Sequence, residues 1–220
     1  MIDLVIVGTG GVGRAAAAMV AAINAVSPRW RLLGFLDDDP GRHGERVAGL
    51  PILGGAAWLA GRPEVAAHVA IGAPTARRQV VERLAALGAA HFATLVHPSV
   101  QIPASARLGP GCLVYPGAVL DVDVSVGAHA ILNIGCAVCH DDQLGDFVTL
   151  APGVHLGGSV RLGEGADMGI GSCTVQGVAI GAWSVVGAGA AVTGDLPANC
   201  TAVGVPARVI KERPAGWHLS

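Results

Sequence analysis

Cys136, Cys139 and His140 stand in the order C-x-x-C-H within NIGCAVCHDDQLGDF, residues 133–147. That spacing is the attachment motif of a c-type haem, in which the histidine would ligate iron. Thiolates and a neutral imidazole also suit zinc. Two carboxylates, Asp141 and Asp142, follow at once, so the choice between metal ligand and some other role depends on the backbone that carries the run. A second motif lies near the start. GTGGVG places Gly8, Gly10 and Gly13 as G-x-G-x-x-G after a strand-like run and before a helical one, with Asp37 ending the next strand-like run. This is the dinucleotide fingerprint in its proper context. Glycines let the backbone approach a phosphate, and a helix starting near Gly11 attracts the phosphate charge. The ligand could be NAD or a nucleotide sugar.

The composition limits what can position these residues. In 220 residues, 52% are apolar, enough to bury a core. The chain also has 33 glycines, 14% charged residues and 4% aromatics, a mix that favours repeated tight turns with small side chains. A net charge of −2 leaves no broad basic surface for nucleic acid or an anionic membrane. The opening MIDLVIVGTGG carries Asp3 and no basic n-region, and no stretch approaches the ~18 apolar residues of a membrane span. We therefore expect a cytoplasmic protein whose five cysteines are reduced and mostly buried.

The chain has two halves with different periods. Up to about residue 92, strand-like runs (LVIVG, 4–8; WRLLGFLDD, 30–38; HVAIGA, 68–73) alternate with helical ones (14–26 and 75–88). Strand, helix, strand in series predicts a parallel sheet, here a Rossmann-like half domain over 1–92. From Val96 onward the period is six: Val96, Ile102, Leu108, Val114, Leu120 and so on to Val192, with Thr174 the one polar residue in the series. Gly follows at 109, 127, 145, 157, 163, 169, 181 and 187. A strand would repeat every two residues and a helix every 3.6. A sustained six is the signature of a parallel β-helix, expected over 93–203, and 204–220 reads as its terminal cap.

The repeat resembles the hexapeptide acyltransferases, whose β-helix is left-handed and three-sided. GTGGVG, GFLDDD, GLPILGG, HPS, NIG…CHDD, LAPGVHLGG, VVGAGAAV and GVPAR, in that order, are similar to one branch. It comprises the sialic-acid O-acetyltransferases and the nucleotide-amino-sugar N-acetyltransferases that act on bacillosamine and perosamine precursors. The resemblance implies acetyl-CoA as co-substrate, a homotrimer, and a UDP-, GDP- or dTDP-linked amino sugar as acceptor, a precursor of bacterial surface glycan. It matches His140 to the general base and Asp141 to its orienting carboxylate, with Asp142 an alternative partner. Such a base would take the proton lost by the attacking amine or hydroxyl. Asn133, Thr149, Gly158, Ile170 and Ala188 match the acetyl-CoA groove, with the Gly158 N–H on the thioester carbonyl. Gly8, Gly10, Gly11, Gly13, Asp37 and Asp38 match the nucleotide-sugar site. Val12, Thr149 and Ala188 depart from residues common in the family.

The six-residue frame then reweighs the opening motif. Cys136 falls in a slot held elsewhere by small residues or Val, such as Ala118, Val124 and Ala130, which predicts packing. Metal ligands on one prism side should differ by multiples of eighteen, as in the γ-class carbonic anhydrases that share this β-helix. His129, His140 and His155 do not. Neither haem nor metal is expected. The alternatives to N-acetylation are O-acetylation of sialic acid or another sugar, a non-catalytic nucleotide-sensing β-helix, and an NAD-linked oxidoreductase. Arg77 and Arg78 read as a solvated helix face.

Overall fold

The computed structural model describes residues 1–219. The chain divides into two compact units, Met1–Gly72 with Ala76–Pro98, and Ala73–Thr75 with Ser99 onward.

In the first unit, β1 (Ile2–Val7) leads through the glycine loop into α1 (Gly11–Val26). β2 (Trp30–Leu36), the short β3 (Arg46–Val47), β4 (Leu50–Gly54), β5 (Ala66–Val69) and α2 (Pro74–Ala86) follow. The sheet order is β3-β4-β2-β1-β5. All pairs are parallel except β3 with β4. The β1 run Leu4–Val7 is buried because both faces of a parallel sheet are covered, so it reads as a continuous apolar stretch. From β1 the chain moves outward to β2 and β4, then returns to β5 on the other side of β1. That reversal opens a crevice at the carboxyl ends of the strands.

The second unit is a parallel β-helix of three faces. Every face pairs residues eighteen apart: Arg107, Ser125, Gln143, Arg161 and Ala179 on the first, and Leu113, Ile131, Thr149, Asp167 and Val185 on the second. Val119, Ala137, His155, Cys173 and Ala191 form the third. The next residue of each pair turns inward, and Leu132, Leu150, Met168 and Val186 stack fully buried. Truncating one of these would cost on the order of 2–5 kcal/mol. At the end, Cys200–Val203 continues the second face and pairs antiparallel with Arg208–Glu212 in a hairpin.

Each corner turns through a left-handed residue, and every sixth position from Gly111 to Gly189 has φ between 57° and 77°. Glycine holds eight of these positions; Asp123, His129, Asp141, Phe147, Ser159 and Trp183 hold the rest, against the cost of a Cβ in that region.

One sequence expectation changes. Arg77 is fully buried, its guanidinium donating to the carbonyls of Ile71 and Gly72 at 2.7 Å, whereas Arg78 pairs at the surface with Glu82. Two adjacent arginines on a helix point about 100° apart, so one identity cannot set both environments. Among the cysteines, Cys112, Cys136 and Cys200 are buried, but Cys173 is exposed on the third face.

Candidate active site

His140 lies in the turn that leaves the third face, between strands Ala137–Val138 and Gln143–Leu144. Backbone bonds tie this turn to both neighbouring coils: Asp141 N–H donates to Val122 at 3.2 Å, and His140 C=O accepts from Ser159 at 2.9 Å. Asp141 is the left-handed residue of the turn, with φ 63°. Its Oδ2 stands 2.8 Å from His140 Nδ1. An ionised carboxylate only accepts, so Nδ1 carries the proton and Nε2 presents its lone pair. The Asp141 hydrogen bond is the main reason the His140 pKa is raised, with the charges of Asp141, Asp121 and Asp142 adding to it. Both side chains are more than half exposed, so the pair adds little stability, and its effect is on the imidazole.

Gly158 occupies the equivalent turn of the next coil. A Cβ there would stand 2.6 Å from both Cε1 and Nε2 of His140, so glycine is what allows the ring to lie against this backbone. The N–H groups of the turn are almost all committed. Gly157 donates to Thr174 Oγ1, Ser159 to the His140 carbonyl and Val160 to Asp142 Oδ1. Gly158 N–H alone in this turn has no partner among the described residues. A proton acceptor beside a free backbone donor is the minimum for acyl transfer: one group takes the nucleophile's proton while the other meets the oxygen on which charge develops.

Asn133 lies in the turn that enters the third face, its Oδ1 accepting from Ile134 N–H at 2.9 Å. Ile170 and Ala188 are exposed in the same column of turns, two coils and three coils above Ile134 in the eighteen-residue register. These residues and His140 therefore border opposite edges of one face. Thr149 is buried on the second face, paired with Ile131 and Asp167, and the chain does not bring it to the His140 turn. The C-x-x-C-H run does not converge either. Cys136 points into the core with Sγ at 3.3 Å from the Ala151 carbonyl, and burial pushes its thiol up to about 11; His140 faces outward from a different corner.

In the first unit, Gly8 and Asp37 line a cleft of about 250 Å³ with Val7, Leu36, Ala56 and Ile71, at the carboxyl ends of β1 and β2. The glycines of the loop divide into two kinds. A Cβ on Gly13 would fall 2.0 Å from the Gly8 carbonyl, whereas Gly10 and Gly11 have nothing within 4 Å of a Cβ. Protein packing explains Gly13, while Gly10 and Gly11 leave open space in front of an uncapped helix N-terminus. Asp37 accepts from Thr9 Oγ1 and from Arg42, and its backbone carbonyl meets His43 Nε2 at 2.9 Å. Asp38 instead accepts from Ala56 N–H and pairs with Arg83. Thr9, Arg42, His43 and Arg83 were not singled out from sequence; Thr9 stands inside the glycine motif, but nothing in the spacing pairs Arg42 with it across 33 residues.

Residues 3–84 match the PglD N-terminal domain family. Over 152 residues, 67% of this chain and 68% of the relative, the sequence is 33% identical to a GDP-perosamine N-acetyltransferase of Escherichia coli. The chain belongs to the hexapeptide acetyltransferase family. Two solved structures extend the likeness over nearly the whole chain. One is PerB of Caulobacter crescentus in complex with CoA and GDP-perosamine, with TM-score 0.84 and 32% identity over 95% of this chain and 97% of that one. The other is the acetyltransferase domain of PglB from Neisseria gonorrhoeae in complex with acetyl coenzyme A, with TM-score 0.86 and 33% identity over 94% and 98%. As a hexapeptide acetyltransferase, this chain is an acyltransferase with an α/β half domain followed by a β-helix. Among its described residues no helix is long and apolar enough to cross a membrane.

Proposed function

We propose that this protein transfers the acetyl group of acetyl-CoA to the amine of a nucleotide-linked amino sugar. The observation that carries the reading is His140, with Nδ1 on Asp141 and Nε2 against Gly158, whose N–H has no partner among the described residues. The amine nitrogen bonds to the acetyl carbon as its proton passes to His140 Nε2. Gly158 N–H accommodates the charge on the carbonyl oxygen, the C–S bond breaks, and the CoA sulfur leaves with the proton from His140. Asp141 holds the tautomer and favours the imidazolium. Asn133, Ile170 and Ala188 border the path of the pantetheine arm, and Thr149 is left buried on the second face.

Gly8, Gly10 and Gly11 hold the diphosphate of the acceptor, with Gly13 packing the loop behind them, and Asp37 and Asp38 meet its nucleoside. That two relatives act on or bind GDP-perosamine favours a nucleotide sugar over NAD, with UDP, GDP and dTDP as the candidate carriers. The working form is a homotrimer. Val119, Val122, Ile134, Ile170 and Val175 are 45–62% exposed on the third face and its corners, an apolar strip that suits burial against a second copy. On this reading the enzyme works in the cytoplasm, where acetyl-CoA and nucleotide sugars are made.

CoA release from acetyl-CoA with UDP-, GDP- and dTDP-amino sugars and free sialic acid, for wild type and His140→Ala, tests the reading, and light scattering tests the trimer. Turnover on one nucleotide amino sugar, lost by ~10² or more in the variant, is expected. Turnover on sialic acid alone would replace this acceptor with a hydroxyl.

A further inference from the structure

The slot four residues after each apolar hexapeptide residue turns into the prism. From Ala106 to Ala190 it holds Ala, Val, Cys or Ser, except at Asp142. Asp142 is fully buried. The repeat would accept Val there, as it does at Val124 and Val160 in the coils on either side. A carboxylate in such a slot is costly unless its oxygens are bonded, and both are. Oδ2 accepts from Cys139 N–H at 2.9 Å, which closes the turn that presents His140 and Asp141. Oδ1 accepts from Val160 N–H at 2.8 Å, in the turn that presents Gly158. In several other turns, at Ala118, Cys136, Val154, Ala166, Ser172 and Ala190, the slot residue donates to the carbonyl three residues before it, at 3.0–3.3 Å. Val160 gives its N–H to Asp142 of the preceding coil.

We propose that Asp142 is a positioning residue for acetyl transfer, one carboxylate that fixes the turn bearing the base and the turn bearing the free N–H at a set separation. The inference rests on His140 and Gly158 having the roles given above. Asp142 touches neither substrate and acts through two backbone groups. It also explains the local departure from the repeat. The other titratable groups around this turn are Cys139, Asp121, Asp141 and His140 itself. A displacement of about 1 Å between reacting groups can cost on the order of 10²-fold in rate, so a small shift between adjacent coils would be visible in turnover.

The test compares Asp142→Val and Asp142→Asn with wild type and His140→Ala in the full-length protein, on the acceptor that wild type turns over. Asp142→Val restores the residue of the flanking coils, Val124 and Val160, so this variant should melt cooperatively. Its kcat should fall by ~10-fold or more with both KM values within about two-fold of wild type. Asp142→Asn keeps one acceptor and should fall between. A second readout needs no substrate: the Gly158 amide resonance should follow the titration of the adjacent His140 ring in wild type and lose that dependence in Asp142→Val.

Wild-type kcat in both Asp142 variants, with His140→Ala inactive, would overturn the positioning role and leave the base intact. Full turnover by His140→Ala would remove the base, and this proposal with it. Loss of kcat only in step with loss of the melting transition would assign Asp142 to folding alone.

Discussion

The imidazole of His140 lies against the Gly158 backbone in the next coil, so close that a Cβ on Gly158 would come within 2.6 Å of Nε2 and Cε1. Gly158 does not adopt a left-handed φ, so its backbone would tolerate alanine; the ring would not. Gly158→Ala should therefore fold and melt like wild type while turning the imidazole away. A fall in kcat of ~10² is expected, of the size seen when a catalytic group moves by about 1 Å. CoA release beside a thermal melt checks it. Wild-type turnover would mean that the ring works from another rotamer.

Asp141 should set the acid limb of the rate profile. Its hydrogen bond is the largest cause of the raised His140 pKa, and only the neutral ring can accept a proton. In wild type the limb of log kcat/KM should then lie above the ordinary value for His, about 6.5. Asp141→Asn removes the charge, so the limb should move to lower pH while the plateau falls, because the imidazolium is less well stabilised. A profile from pH 5 to 9 for both proteins decides it, and an unmoved limb would dissociate the pair from the proton transfer.

The two kinds of glycine in the nucleotide loop predict opposite failures. Gly13→Ala drives a Cβ into the Gly8 carbonyl at 2.0 Å, so it should destabilise or unfold the first unit. Gly10→Ala and Gly11→Ala meet only open space, and the intact fold should keep its melting temperature. Their methyls would occupy the room assigned to a diphosphate, so affinity for the nucleotide sugar should fall by ~10-fold or more. Calorimetric titration with the acceptor separates the two; unchanged affinity in Gly10→Ala and Gly11→Ala would move the phosphates elsewhere.

What could be read in the sequence follows from which forces are local. The six-residue period survives because each coil buries the same column, and the eighteen-residue pairing follows from three sides. The glycine motif is legible because strand, turn and helix occur within about a dozen residues of chain. His140 and Asp141 adjoin, so their pairing needed only a turn conformation. Contacts between distant residues left no such trace. Thr9 and Arg42 meet beyond the carboxyl ends of β1 and β2, and Arg77 is buried by its neighbours and not by its helix. Asp142 illustrates both cases: its slot already predicted an inward direction, yet the acceptor geometry that makes a carboxylate tolerable comes from Val160, a full coil away.

That burial has a signature in stability. For Asp142, desolvation outweighs the bonds from Val160 and Cys139 and the nearby His140, and its pKa rises from 3.8 to about 6. A raised carboxylate pKa means that the folded protein holds the proton more tightly than the unfolded chain. The stabilisation is then complete below about 4 and is lost as pH rises through about 6. Two pKa units correspond to ~3 kcal/mol as an upper scale. Asp142→Val has no such group, so its stability relative to wild type should increase between pH 4 and pH 8 by up to that amount, while other titrations cancel in the difference. Urea unfolding of both proteins at the two pH values measures it. A constant difference would show that the backbone N–H groups fully compensate the buried charge. A growing one would mean that the protein tolerates a destabilising carboxylate at neutral pH, as expected of a residue retained for the geometry of the His140 turn.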